Sequence, residues 1–201
     1  MKKVWLLGCL GGLVLVGIIV FLSVMSTYNN LVALDQDVTA KWAQVQNVYQ
    51  RRADLVPNLV NTVKGYAGHE REVLEAVTES RSKVGSMQVT RDMLNNPAEL
   101  AKFQQAQDSL GSALSRLLLV VERYPDLKAN QNFLELQSQL EGTENRIAVE
   151  RKRFNESAQA YNTRMKQFPT NIIAGMFSFR EKAYFEASPG SEKAPVVDFT
   201  K

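Results

Sequence analysis

NQNFLELQSQLEGTENRIAVERKRFNESAQAYNTRMKQF, residues 130–168, places an apolar residue at every seventh position: Phe133, Leu140, Ile147, Phe154, Tyr161 and Phe168. At 3.6 residues per turn, residues seven apart fall nearly on one line, so this stripe is the seam of a long helix facing another helix. At about 1.5 Å per residue the segment is a rod of about 58 Å. In a chain of 201 residues, a rod that long points to packing and assembly before catalysis. Leu136 and Thr143 follow their seam residues by three, whereas Ala158 and Met165 follow theirs by four. The stripe therefore shifts sides near Glu150, which predicts a different neighbour for each half.

Working outward, three more helical stripes appear. Leu31, Leu34, Val38, Trp42, Val45 and Tyr49 define a helix from about Asn29 to Arg52. Pro57 is expected to interrupt, with Asp54 capping a new turn. Leu55, Leu59, Val63, Tyr66, Val73 and Val77 then mark a second helix to about Val84, in which Gly65 and Gly68 either permit close helix contact or mark a bend. Residues 85–96 read as a loop. Asn96 as N-cap, Pro97 as first helical residue and Glu99 at the third position open the next helix, which Tyr124-Pro125-Asp126 ends, and Asn130 is placed to open the long helix that follows. The expectation is an all-α chain: an N-terminal transmembrane helix, then an antiparallel bundle of four long helices.

The membrane segment is read from Val4 to Met25, an uncharged run including Trp5, Leu6, Gly8, Gly12, Val20 and Phe21. As a helix it covers about 33 Å, matching a bilayer core of about 30 Å and exceeding the apolar region of a cleavable signal peptide. Gly8 and Gly12 form a G-x-x-x-G pair that favours close helix approach. Nothing around Ser26-Thr27-Tyr28 breaks the helix, and Tyr28 suits a membrane interface. Lys2 and Lys3 precede the span, and no cation follows it before Lys41. The positive-inside bias then predicts a single-pass protein of the bacterial inner (cytoplasmic) membrane, N-terminus in the cytoplasm and bundle outside. The expected divisions are 1–27 (anchor), 28–168 (bundle) and 169–201 (an apolar, extended tail).

The net charge is +3. Setting aside Lys2 and Lys3 leaves 22 basic against 21 acidic residues, with Arg151-Lys152-Arg153 the only dense basic run. A nucleic-acid partner is not expected from so even a balance. One Cys (Cys9, inside the span) and one His (His69) exclude a disulfide framework and argue against a zinc site. His69-Glu70-Arg71-Glu72-Val73 starts like a metalloprotease helix but has Val73 where the second ligand belongs. Ser80-Arg81-Ser82-Lys83 matches a Ser-x-x-Lys pattern without its companion motifs. No metal, cofactor or catalytic residue is expected.

Two polar clusters stand out: Arg51, Arg52, Asp54, Asn58 and Asn61 around the proline, and Glu144, Asn145, Arg146, Arg153, Asn155 and Asn162 on the seam helix. Either they line a groove for a ligand or they are buried networks that set helix register. In the tail, Ile172, Ile173, Met176, Phe177 and Phe179 form an apolar cluster with three placements open to it: folded back on the bundle, on a membrane surface, or on a neighbouring subunit. Pro195 to Phe199 reads as short and extended.

The blocks Arg51-Arg52-Ala53-Asp54-Leu55-Val56-Pro57-Asn58-Leu59-Val60, Glu122-Arg123-Tyr124-Pro125-Asp126-Leu127-Lys128-Ala129-Asn130 and Leu140-Glu141-Gly142-Thr143-Glu144-Asn145-Arg146-Ile147 resemble the LemA family. Phe154-Asn155, Tyr161-Asn162, Phe168-Pro169 and Tyr184-Phe185-Glu186-Ala187 extend the resemblance over nearly the whole chain after the anchor. Two positions depart: Phe154 where Tyr is common, and Ser178 where Gly would precede Phe179. The resemblance implies a membrane-anchored helical bundle of bacteria without established activity or catalytic residues. It also implies envelope or membrane proteins as partners, a membrane protease among them.

The expected function is a membrane-anchored helical scaffold or adaptor of the cell envelope that self-associates as a homo-oligomer. The alternatives are a lipid- or cell-wall-fragment-binding module and, remotely, an enzyme using Ser80 and Lys83.

Overall fold

The computed structural model describes residues 2–187, with side chains from residue 10 onward, and its first element α1 is one helix of 65 residues, Lys2–Tyr66. The apolar N-terminal run and the first bundle helix are therefore a single rod of about 98 Å. One stretch of it is long and apolar enough to cross a membrane.

Pro57, expected to interrupt this rod, lies inside it. Proline has no N–H for the carbonyl four residues back, which leaves the Ala53 oxygen without its helical donor. Arg81 of α2 (Arg71–Ser86) supplies one, its Nε donating to Ala53 O at 2.9 Å. The helix is not broken, because the bond lost within α1 is replaced by one between helices. Asp54 caps nothing; it accepts from Gln50 Nε2 at 2.8 Å on the surface. The actual end of α1 is the turn at residues 67–70, so Gly65 and Gly68 mark a bend, and the helix expected over residues 55–84 is divided between α1 and α2.

The Arg81 bond gives a direct expectation. Arg81→Met should destabilise the chain by about 1–2 kcal/mol, the cost of leaving a part-buried carbonyl without a donor. In a Pro57→Ala background the N–H at position 57 returns, and the same substitution should cost less than half as much. Urea unfolding of all four variants checks this; equal costs in both backgrounds would refute the coupling.

After a 3-10 turn at Arg91–Asn95 come α3 (Pro97–Val121), a short α4 (Pro125–Lys128) and α5 (Gln131–Lys166). Both expected asparagine caps form: Asn96 accepts from the N–H groups of Ala98 and Glu99, and Asn130 from that of Phe133. The described residues contain helices and no strand. α5 lies antiparallel to α1, since Asp37 meets Ser157, Arg52 meets Glu144 and Tyr66 meets Asn130. α2, with 16 residues, is shorter than expected and runs back along α3, with Glu70 at Arg123 and Tyr124.

Five seam residues, Phe133, Leu140, Ile147, Phe154 and Tyr161, are buried. The sixth is not: α5 stops at Lys166, and Phe168 beyond it is 80% exposed. The core forms two clusters. Leu140 and Phe133 join Val56, Leu59, Val63, Leu110, Leu114 and Leu117, whereas Ile147, Phe154 and Tyr161 join Leu31, Val38, Trp42, Phe103 and Phe185. The two halves of the seam thus lie in different clusters, parted near Glu144, and α1 and α3 border both.

Beyond α5 the chain makes α6 (Thr170–Met176) and folds back along the bundle to Ala187, with Ile173, Ala174, Ala183 and Phe185 buried. Residues 195–199 lie outside the described residues.

Candidate functional site

Three side-chain amides on two helices grip the returning strap. Asn162 accepts from the Lys182 N–H at 2.8 Å and donates to the Lys182 carbonyl at 2.8 Å. Asn155 does the same for Phe185, at 2.9 Å in both directions. Gln104 on α3 takes Glu186, accepting at 3.2 Å and donating at 2.9 Å. An amide side chain offers one acceptor and two donors in a plane, so it pairs with a peptide N–H and C=O much as a neighbouring strand would.

The spacing explains the register. Seven residues of α5, from Asn155 to Asn162, advance about 10.5 Å. Three residues of strap, from Lys182 to Phe185, reach that distance only when nearly fully extended. The strap runs opposite to α5. Tyr161 Oη donates to the Arg180 carbonyl at 3.0 Å, and Arg151 donates to that of Glu186 at 3.0 Å with its guanidinium 4.7 Å from the Phe185 ring centre. Burial, and then the Asp35 carboxylate, push the Tyr161 hydroxyl up to about 12, which keeps it a donor.

Lys182 locks the start of the strap. It is only 7% exposed, and its ammonium lies 2.6 Å from Asp35 Oδ1 on α1, 3.0 Å from Asn95 Oδ1 and 5.2 Å from the Tyr161 ring centre. The Ala183 N–H donates to Leu94 O at 2.8 Å. Downstream, Phe185 joins an aromatic group with Trp42 and Phe154, at 6.0 and 5.5 Å between ring centres.

The strap begins at a helix stop. The Phe179 N–H donates to Ala174 O at 3.0 Å and the Ser178 N–H to Gly175 O at 3.4 Å, the paired bonds of a Schellman motif. That motif needs a left-handed residue, and Ser178 supplies it with φ of 58°. A side chain there is strained, which is a physical reason for the Gly expected by resemblance. Ser178→Gly should stabilise the chain by about 1 kcal/mol, read as a raised unfolding midpoint; a lowered midpoint would contradict the assignment.

The second polar feature divides the core. Arg52, 3% exposed, donates to Glu144 Oε1 at 2.7 Å, to Gln107 Oε1, and to the Gln107 carbonyl at 3.0 Å. Its layer lies between the two apolar clusters, and α3 passes close enough that a Cβ on Gly111 would sit 3.7 Å from the guanidinium. Tyr49 lies beside it, and burial pushes that hydroxyl's pKa up.

The structure therefore regroups the two sequence clusters. Arg52 from the first joins Glu144 from the second. Arg51, Asp54, Asn58 and Asn61 remain on the surface, as do Asn145 and Arg146, while Arg153 pairs with Glu150 at 2.7 Å. Asn155 and Asn162 hold backbone. The two sequence clusters leave out Gln104, Asn95, Asp35 and Lys182, and Arg151 stands in the sequence only as part of the basic run 151–153. A signal existed for Gln104: it sits among Leu100, Phe103 and Gln107 on the inward stripe of α3, where a polar residue needs a partner. Lys83 pairs with Glu79 at 2.8 Å on the exposed side of α2, and no hydrogen bond joins it to Ser80 among the described residues. His69 is exposed, and no metal-binding group of side chains occurs among the described residues.

Losing both asparagine clamps should free the strap without unfolding α5. Asn155→Ala with Asn162→Ala is expected to raise hydrogen exchange at residues 182–186 by at least about tenfold, equivalent to about 1.4 kcal/mol of local stability. Unchanged exchange there would show that side-chain packing alone holds the strap.

A family model described as the LemA family matches residues 41–199, a range that takes in every strap-gripping amide. The chain is also similar to magnetosome protein MamQ 2 of Paramagnetospirillum magneticum, 26% identical over 191 residues, covering 87% of this chain and 70% of that one. Magnetosome protein MamQ of Magnetospirillum gryphiswaldense is 27% identical over 191 residues with the same coverage. Protein LemA of Metamycoplasma hominis is 27% identical over 160 residues, covering 80% of this chain and 69% of that protein.

Proposed function

The chain belongs to the LemA family, and from that membership together with its architecture we propose that it is a membrane-anchored helical scaffold that self-associates and presents its bundle to other envelope proteins. The observation that carries this reading is the continuity of α1. One helix is both the apolar segment and the first helix of the bundle, so the domain is held rigidly at the membrane. The bundle is read as an antiparallel four-helix unit of α1, α2, α3 and α5, closed by the strap. Its sidedness is proposed from the flanking lysines: N-terminus in the cytoplasm of a bacterial inner membrane, bundle outside. A membrane protease is a partner class that the family resemblance adds. Crosslinking of the full chain in native membranes should give discrete homo-oligomers and reproducible hetero-adducts. Strictly monomeric protein without adducts would overturn the scaffold reading, and a reporter at Lys201 active only in the cytoplasm would overturn the sidedness.

One observation favours a second reading, a binding module. A groove of about 800 Å³ between α2, α3 and the strap is lined by Ser80, Gln105, Asp108, Ser109, Arg116 and Glu186. Hydroxyl and amide groups beside one cation and two carboxylates suit a hydroxyl-rich cell-wall fragment or a lipid headgroup. The Arg51/Arg52 pair does not form such a surface, because Arg52 is buried. Binding of muropeptides or of anionic vesicles that is lost in Arg116→Ser would support this reading, and absence of binding to both would remove it.

A further inference from the structure

The height of α6 along α1 tells what its apolar face meets. From Leu10 to Ser23 every residue of α1 is exposed, whereas Val24 and Thr27 are half-buried and Leu31 is fully buried. Other elements therefore first touch the rod at the last turn of its apolar run. α6 packs there: Tyr28 has its ring centre 4.8 Å from that of Phe177 and 5.7 Å from that of Phe179. Tyr28 lies three residues past Met25, the end of the uncharged run, or about 4.5 Å further along the helix axis.

If α1 crosses a bilayer, α6 thus sits at the level of the headgroups. In and beside it Phe168, Ile172, Met176 and Phe177 are all more than half exposed, with Met176 at 73%. Ile172 and Met176, four apart, share a face of α6, with Phe168 in the turn before it and Phe177 at its end. Isolated apolar residues on a surface mean little, but four large ones on one short segment need a cover. Arg164 and Arg180 flank them, and neither has an ion pair among the described residues. Cations beside an apolar patch at this height suit the phosphates of an anionic leaflet.

We propose that α6 is an interfacial segment: Phe168, Ile172, Met176 and Phe177 insert into the headgroup region of the same bilayer that α1 crosses, with Arg164 and Arg180 on lipid phosphates. This deepens the anchor reading and rests on it. It gives the domain a second point of membrane attachment, off the axis of α1, which fixes the rotation of the bundle about its anchor.

The test uses the full chain with Cys9→Ser, one copy per nanodisc of mixed phosphatidylglycerol and phosphatidylcholine. Nitroxide labels are placed singly at Ile172→Cys, Met176→Cys, Leu119→Cys on the far face of α3, and Leu15→Cys within the apolar run; all four native side chains are exposed. Collision rates are measured with oxygen and with a water-soluble nickel chelate. At 172 and 176 the oxygen-to-nickel ratio should exceed that at 119 by about threefold or more, and stay below that at 15. Ratios at 172 and 176 equal to that at 119, with 15 in lipid, would overturn the interfacial segment while leaving the anchor intact. An aqueous label at 15 would overturn both. Shielding of 172 and 176 that appears only in discs holding two copies would mean that a second copy covers the patch, and would also overturn the proposal.

Discussion

Phe185→Ala should lower the stability of the chain by about 3–5 kcal/mol, a cost usual for a large aromatic removed from a core. The ring is buried between Trp42 and Phe154 with Arg151 over it, so the strap, α1 and α5 lose a shared contact at once. The strap side of the cavity can shift inward, because only side-chain amides and Arg151 hold it there, which favours the lower part of that range. Chemical unfolding gives the magnitude. In a Trp5→Phe background the emission of Trp42 should move to longer wavelength as water reaches it. Leu119→Ala on the exposed face of α3 is the reference, expected within about 0.5 kcal/mol of the parent. A loss for Phe185→Ala no larger than that would show that the strap adds nothing to the core.

Arg52→Met is the second large effect, expected at about 3 kcal/mol. Removing the guanidinium strands the Gln107 amide and the second lone pair of its carbonyl within the bundle, whereas the partly exposed Glu144 turns to solvent. The informative comparison is the triple variant Arg52→Met, Gln107→Leu, Glu144→Leu, which converts the layer to apolar packing. It should recover most of the lost stability, since a buried charge layer does not outperform hydrophobic residues of similar volume. If the three losses add instead, the layer is a net source of stability and not a device for register.

The stretches that were legible in the sequence are those where one face of a helix decides the outcome. Five of six seam residues are in the core, and both asparagine caps form. Pro57 misled for a definable reason. Its local effect on α1 is unfavourable, but the acceptor it frees is met by Arg81, 28 residues away, and no window around the proline contains that information. Phe168 misled because the repeat runs two residues beyond Lys166, where α5 ends. The strap clamp was half visible. Asn155 and Asn162, seven apart beside seam residues, stood out as polar groups in an apolar setting, but their partners are backbone atoms, which carry no sequence signature.

The strap also has a consequence for how the chain is made. In chain order, the cluster around Phe133, Leu114 and Leu59 has all its members once Leu140 leaves the ribosome. The cluster around Trp42 needs Phe185, 45 residues later. Its aromatic rings therefore stay uncovered while those residues are added, after the other cluster is already complete. The two halves close one after the other. Any premature stop upstream of Lys182 yields a product with one finished half and one open half, displaying the aromatic surface that quality-control proteases read as unfinished.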